Sequence, residues 1–204
     1  MPRIIDHDAE RRRIAKATWE VLQQQGQDAL TVRNIARQAG CTTGTLSHYF
    51  RNRGELVAFS YELVTTEMIE IINRKIPKIN RGLARFRALL ELLIPKKPKN
   101  DQYEIAVTIS SWVFALSDPE IAIQHRKNYA RLRAIAAGFI REAIEIKEMS
   151  PDTVPEDIGD MMISFADGLC VAMMIEKNLF PYKRCTLLID QFMHGLLKSP
   201  VDKK

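Results

Sequence analysis

The segment from Leu30 to Leu56, LTVRNIARQAGCTTGTLSHYFRNRGEL, most constrains what this chain can fold into. Its spacing predicts two short helices around a tight turn. Val32, Ile35, Ala36 and Ala39 form one apolar face on the first helix, and Gly40 supplies the left-handed residue that ends it. Thr42 or Thr43 caps the second helix, which carries Leu46 and Phe50 inward at i, i+4. Between those anchors Thr43, Thr45, Ser47, His48 and Tyr49 are small or polar and mostly point away from the core. Such a face packs poorly but is well supplied with hydrogen-bonding groups for base edges and phosphates. Two helices so arranged lay one of the pair in a DNA major groove.

The segment resembles the DNA-binding domain of the TetR family, the one-component bacterial repressors that dimerise and release DNA on binding a small molecule. That family's pattern is T-x-x-x-I-A-x-x-A-G, a turn, a helix ending in an aromatic pair, and a basic residue before a long helix. Here it stands as Thr31, Ile35, Ala36, Ala39, Gly40, Gly44, Leu46, Tyr49, Phe50, Arg53 and Leu56. One departure is Ser47, where many members carry an aromatic that contacts DNA. The Ser-His-Tyr-Phe run, and Asp167-Gly168-Leu169 inside an apolar helix, look most like the subgroup of the choline-responsive regulator BetI. The resemblance implies an all-α protein: a three-helix DNA-binding domain at residues 1–53, and a larger helical effector-binding and dimerisation domain at residues 54–204.

The residues agree with that layout. Helix formers dominate the 204 positions, and no run alternates apolar and polar residues over a strand's length. A net charge of +5 is modest; its placement matters more, because Arg3, Arg11, Arg12, Arg13, Lys16, Arg33, Arg37, Arg51 and Arg53 all fall in or just beyond the first quarter. Acidic residues there, Glu10, Asp28 and Glu55 among them, make this a patterned surface rather than a basic tail. Cys41, Cys170 and Cys185 have no metal-ligand spacing, and no metal or cofactor is expected. No signal peptide is apparent, and Asp167 and Glu176 are expected to interrupt any membrane-length apolar run, which points to the cytoplasm and no membrane partner.

Nine helices are expected. The first runs from about Asp8 to Gln25 with Gly26 closing it, and the two motif helices follow. A long fourth helix spans Arg53 to Ile76, and a fifth Asn80 to Leu93. Pro95 to Asp101 reads as a solvated loop, and Gln102 to Leu116 as a sixth helix. Asp118 caps a seventh helix that has Pro119 first and runs to about Lys147. A capping box of Thr153 and Glu156 opens an eighth to about Asn178, and a ninth covers Tyr182 to Lys198.

Candidate DNA contacts are Thr31, Arg33, Thr42, Thr43, Gly44, Thr45, His48, Tyr49 and Arg53. Arg33 can reach a guanine edge or a phosphate with its bidentate fork. Gly44 lacks a side chain, so its helix can approach the groove closely. Thr31 can cap its helix and offer hydroxyl or amide to a phosphate. The resemblance places Thr43 and Thr45 at bases, His48 and Tyr49 at phosphates or bases, and Arg53 at a phosphate. One such module makes too few base contacts to find a site in a genome, so a homodimer on a DNA operator is expected. Its interface is expected on the last two helices, at Phe165, Leu169, Met173, Leu188, Phe192 and Leu196.

A small-molecule effector is expected in the helical body, where Phe86, Trp112, Tyr129 and Phe165 are available to line a pocket. Asp167 stands out: a carboxylate amid apolar residues must find a partner or solvent. It serves either a hydrogen bond at the dimer interface or a cationic ligand flanked by aromatics. No enzyme is expected, because His7, His48, His125 and His194 are scattered and neither a phosphate loop nor H-E-x-x-H is present. The remaining alternative is a DNA-binding or architectural protein that answers to no effector.

Overall fold

The computed structural model describes residues 6–95 and 102–198. Among them lie nine α-helices and no strand: α1 (His7–Gln25), α2 (Val32–Gln38), α3 (Thr43–Tyr49), α4 (Arg53–Lys75), α5 (Leu83–Leu93), α6 (Gln102–Ala115), α7 (Pro119–Glu145), α8 (Pro155–Ile175) and α9 (Tyr182–Lys198). They fall into two compact units. The described residues of Met1–Glu67 and Lys99–Asn128 form the first, and those of Met68–Pro98 and Tyr129–Lys204 the second. Both α4 and α7 contribute to each. Arg3 and the loop residues 96–101 lie outside the described residues, as do the side chains of Tyr103, Ile105 and Val107.

Most helix ends follow from the local chemistry read above. Asp6 accepts the amides of Asp8 and Ala9 at 3.1 Å each and starts α1, and Gly26 at φ 80° stops it. Asp118 accepts the amides of Glu120 and Ile121, which opens α7 at Pro119. At the far end of α7, Lys147 adopts φ 65°; its amide donates to Ile144 and that of Glu148 to Ala143. This is the paired carbonyl closure that usually employs glycine, made here by a lysine at a cost of about 1–2 kcal/mol.

Two expected starts are corrected. Helix α5 begins at Leu83, not Asn80, because Gly82 takes φ 79° and interrupts the helical backbone. Helix α8 has no capping box: with Pro155 in its first turn the cap falls on Val154, which has no capping side chain, one residue beyond Thr153. The same helix ends at Ile175 rather than near Asn178.

The first unit is built on Ile14 and Val21 of α1, Ile35 of α2, Leu46 of α3, Phe50, and Leu56 of α4, all buried. Val32, expected on this apolar face, is exposed at the first position of α2. Buried hydroxyls of Thr18, Ser60 and Thr65 donate to the carbonyls of Ile14, Leu56 and Tyr61 one turn back, which satisfies them without a partner helix. Arg11 lies between two rings, 4.8 Å from that of Phe50 and 4.6 Å from that of Phe59.

In the second unit Phe86, Leu89 and Leu90 of α5 pack in one cluster with Ile140 of α7, Met162 of α8 and Ile189 of α9. The start of α5 is capped from a distance. Glu148 accepts the Leu83 amide at 2.7 Å, and Glu142 accepts the Gly82 amide at 3.2 Å while pairing with Arg85 at 2.8 Å. Carboxylates at a helix N-terminus are favoured by its orphan amides and dipole. Gly159 lets α8 cross α7 closely, since a side chain there would meet the Arg133 carbonyl at 3.2 Å.

Helix α8 also corrects the membrane expectation: its 21 residues are long and apolar enough, by length and composition, to cross a membrane. Its four carboxylates, Glu156, Asp157, Asp160 and Asp167, lie mostly in the first two turns and do not offset so many Met, Ile, Phe, Leu and Val residues. Here the helix lies in the core of the second unit, with Met162, Ile163, Ala166 and Leu169 buried.

Candidate nucleic-acid interface and a half-buried carboxylate

The helix pair α2–α3 is rigid because each end is closed by its own sequence. Thr31 Oγ1 accepts the Asn34 amide at 3.2 Å and fixes the start of α2. Gly40 at φ 62° ends it, with the Cys41 amide donating to Ala36 and that of Gly40 to Arg37. Thr42, rather than Thr43, caps α3: its Oγ1 accepts the Thr45 amide at 3.0 Å and shares a 2.9 Å hydrogen bond with the Thr45 hydroxyl. Leu46 and Phe50, at most 2% exposed, hold α3 onto the unit.

The remaining face of α3 lies open. Thr42, Thr43, Gly44, Ser47 and His48 are exposed, and Thr45 and Tyr49 half-buried. A side chain at Gly44 would meet only the Thr42 hydroxyl, at 3.7 Å, so the fold itself does not require glycine there. Arg33 is exposed and forms no ion pair among the described residues.

Arg53, expected at a phosphate, also makes contacts within its own unit. Its guanidinium lies 5.0 Å from the Phe114 ring, and one nitrogen donates to the Leu30 carbonyl at 3.5 Å. Other basic groups of the region are paired: Arg13 with Glu10, and Arg51 with Glu55 and Glu120. Sequence reading missed His7, whose Nδ1 is 3.1 Å from Tyr49 Oη. No local pattern signals a contact across 42 positions.

The residues expected to line an effector pocket are divided between the two units. Trp112 belongs to the first unit, and Phe86, Tyr129, Phe165 and Asp167 to the second. Phe86 is fully buried and packs in the hydrophobic cluster of that unit. Phe165 stacks on Phe192 at 4.7 Å between centroids.

Tyr129 and Asp167 do meet: the phenol donates to the carboxylate at 2.7 Å. Burial pushes the Asp167 carboxyl up to about 6, against the smaller opposing effects of that hydrogen bond and of Arg133. Arg133 is itself paired with Asp160 at 2.5 Å. Burial and the Asp167 charge also push the Cys170 thiol up to about 12. A carboxylate short of compensation is stabilised by any cation brought beside it.

Of the residues expected at a dimer interface, Leu169 is buried inside its own chain, whereas Phe165, Met173, Leu188, Phe192 and Leu196 are half-buried. The outward apolar residues of α8 and α9 are Met161, Ile175, Leu187 and Leu197, each at least half exposed. With Gly168, where a side chain would meet nothing within 4 Å, Met161 and Ile175 form a heptad-spaced stripe on α8. That spacing was visible in the sequence.

The capped helix pair on an all-helical body defines a helix-turn-helix protein. Residues 14–58 match the bacterial regulatory proteins of the tetR family, and residues 82–198 match the BetI-type transcriptional repressor C-terminal family. The chain belongs to the TetR family of transcriptional regulators. It is 28% identical over 200 residues to the HTH-type transcriptional regulator PksA of Bacillus subtilis, covering 96% of this chain and 94% of that one. It is 23% identical over 193 residues to the HTH-type transcriptional regulator BetI of Escherichia coli, covering 95% and 96%. A regulator from Saccharomonospora viridis, solved in complex with choline, shares the fold at a TM-score of 0.76 and 18% identity, covering 93% of this chain and 94% of that one.

Proposed function

We propose that this regulator is a ligand-responsive repressor that binds a palindromic DNA operator as a homodimer and leaves it when a small-molecule effector binds. The observation that carries the reading is the α2–α3 pair, closed by Thr31, Gly40 and Thr42 and presenting Thr43, Gly44 and His48 to solvent. Residues 1–53 serve as the DNA-binding part and residues 54–204 as the effector and dimer part, a division by task rather than by packing. Thr43, Gly44 and Thr45 approach bases. Thr31, Thr42, His48, Tyr49 and Arg53 hold phosphates, and Arg33 takes a guanine edge or a phosphate.

Dimerisation through α8 and α9 is supported by the outward stripe on α8 and by Leu187 on α9. The effector side centres on Asp167 and Tyr129, a carboxylate beside an aromatic ring that the Arg133 guanidinium already approaches at 5.7 Å, surroundings that suit a cationic group. The choline complex of the Saccharomonospora protein supports that chemistry. In a dimer the two modules must enter successive major grooves about one helical turn apart. A ligand that favours another tilt of α4, which contributes to both units, alters that spacing. It shifts DNA affinity only by its differential affinity for the two states, about 1–3 kcal/mol or 5- to 150-fold in known cases. The protein acts in the bacterial cytoplasm.

Selection of bound fragments from a random DNA library at near-physiological salt, with light scattering on the same sample, tests the reading. A palindromic site bound by a dimer is the expected result. A monomer with only salt-labile, sequence-blind binding overturns it.

A further inference from the structure

Three side chains from two helices of the first unit meet. His7 stands at the first position of α1, and His48 and Tyr49 end α3. Beyond the 3.1 Å contact of His7 Nδ1 with Tyr49 Oη, the His7 ring lies 5.7 Å from that of Tyr49 and 6.4 Å from that of His48. His48 in turn meets Tyr49 edge-on at 5.2 Å. The backbone is fixed at both ends of the contact, by the Asp6 cap on α1 and by buried Phe50 immediately after Tyr49. The torsions of the Tyr49 side chain are what the fold leaves to be set, and His7 holds their far end.

The direction of that hydrogen bond decides what Tyr49 can offer. A phenol has one proton; if it goes to His7, only lone pairs face outward, and a phosphate oxygen cannot use them. In the reverse direction His7 donates and the phenolic proton is available to an anion. Resting on the reading of Tyr49 as a DNA contact, we propose that His7 is a positioning residue for DNA binding. In the complex its Nδ1–H donates to Tyr49 Oη, which turns the phenolic O–H toward a DNA phosphate. The chain from His7 through Tyr49 to phosphate then runs donor to acceptor throughout, and each bond polarises the next. His7 has no comparable task in holding the fold: its side chain is exposed, and a first-turn amide needs no partner inside the helix.

The test compares full-length Tyr49→Phe, His7→Phe, His7→Asn and the Tyr49→Phe/His7→Phe double variant by fluorescence anisotropy. The probes are the duplex selected from the library and a random-sequence duplex long enough for two half-sites. Tyr49→Phe is expected to weaken both about 2- to 10-fold, the range for one neutral hydrogen bond, since a phosphate contact carries no sequence preference. His7→Phe should lose a similar factor, and the double variant should bind no more weakly than Tyr49→Phe alone. His7→Asn, whose amide nitrogen can stand where Nδ1 stood, should recover most of the loss.

Additive losses, no recovery with Asn, or wild-type binding by His7→Phe would each overturn the proposal. So would a lowered unfolding temperature for His7→Phe, which would make the residue structural. If Tyr49→Phe itself binds normally, the reading of Tyr49 as a DNA contact is what fails, and the two failures are told apart.

Discussion

Replacing Asp167 by Asn should make the protein more stable near pH 7.5 and leave it relatively less favoured near pH 4.5. The folded-state carboxyl titrates at about 6 because burial penalises its charge, whereas an unfolded aspartate titrates near 3.9. A pKa raised on folding means that the proton favours the folded state. That contribution is complete below about pH 4 and is lost as pH rises through about 6. Two units correspond to about 3 kcal/mol, and we take about 1–2 kcal/mol after allowing for solvent and for the exposed Arg133 nearby. Asn still accepts from the Tyr129 hydroxyl, so the hydrogen bond at 2.7 Å survives while the charge does not. For a chain of this size the gain at pH 7.5, relative to the difference at pH 4.5, amounts to about 2–8 °C. Thermal unfolding by circular dichroism at the two pH values, at one fixed protein concentration, measures it, and all other titrating groups cancel between the two proteins. A difference in unfolding temperature that does not change with pH, or that moves against Asn as pH rises, would refute the reasoning. Added choline should then stabilise the wild type more than Asp167→Asn; equal stabilisation would remove Asp167 from the effector site.

Three further outcomes follow from individual contacts. Gly82→Ala places a methyl 2.3 Å from Glu148 Oε2 and 2.8 Å from Ile146 at φ 79°, so it should cost about 2–4 kcal/mol, whereas Gly26→Ala at φ 80° meets open space and should cost only the backbone strain of about 1–3 kcal/mol; denaturant midpoints for the pair check the order. Met161→Glu puts a charge in the outward stripe of α8 and should shift light-scattering mass from dimer toward monomer without lowering the helical content; an unchanged dimer would move the interface elsewhere. Arg33→Ala should weaken the selected duplex by about 1–3 kcal/mol with an unchanged unfolding temperature, since its side chain is exposed. Loss of preference at one base pair in filter binding would assign it a base, uniform loss a phosphate, and no loss at all would exclude the contact.

Legibility in the sequence followed the range of the interactions. Thr31, Gly40 and Asp118 act on amides or backbone within a few residues, and their roles could be read directly. Thr153 misled because a capping box requires a strict register, and Pro155 moved the cap by one residue. The start of α5 was harder still. Its capping carboxylates, Glu142 and Glu148, lie about sixty positions away, so the sequence near Asn80 holds no sign of them. Pairings such as His7 with Tyr49, or Arg53 with the Phe114 ring, are likewise products of tertiary packing. Among the aromatics, periodicity could not separate Phe86, wholly buried, from Tyr129, whose hydroxyl meets a carboxylate.

Helix α8 shows why an apolar sequence underdetermines its use. Three sectors of one helix carry three different demands. Met162, Ile163 and Ala166 face the core and would be apolar in any soluble version of this fold. Asp167 sits at the edge of that face, deep enough for its charge to be penalised yet joined to Tyr129. Met161, Gly168 and Ile175 face outward, where a lone chain gains nothing from apolar side chains. Burial within one chain explains only the first sector, and composition alone would equally suit a membrane span. Asp160 and Asp167 would each have to be protonated or paired in lipid. A second copy of α8 and α9, as proposed above, would satisfy the outer sector at once. If Met161→Glu breaks the dimer while Asp167→Asn leaves it intact, the two sectors are independent devices; if Asp167→Asn also dissociates it, the carboxylate belongs to the interface rather than to the effector.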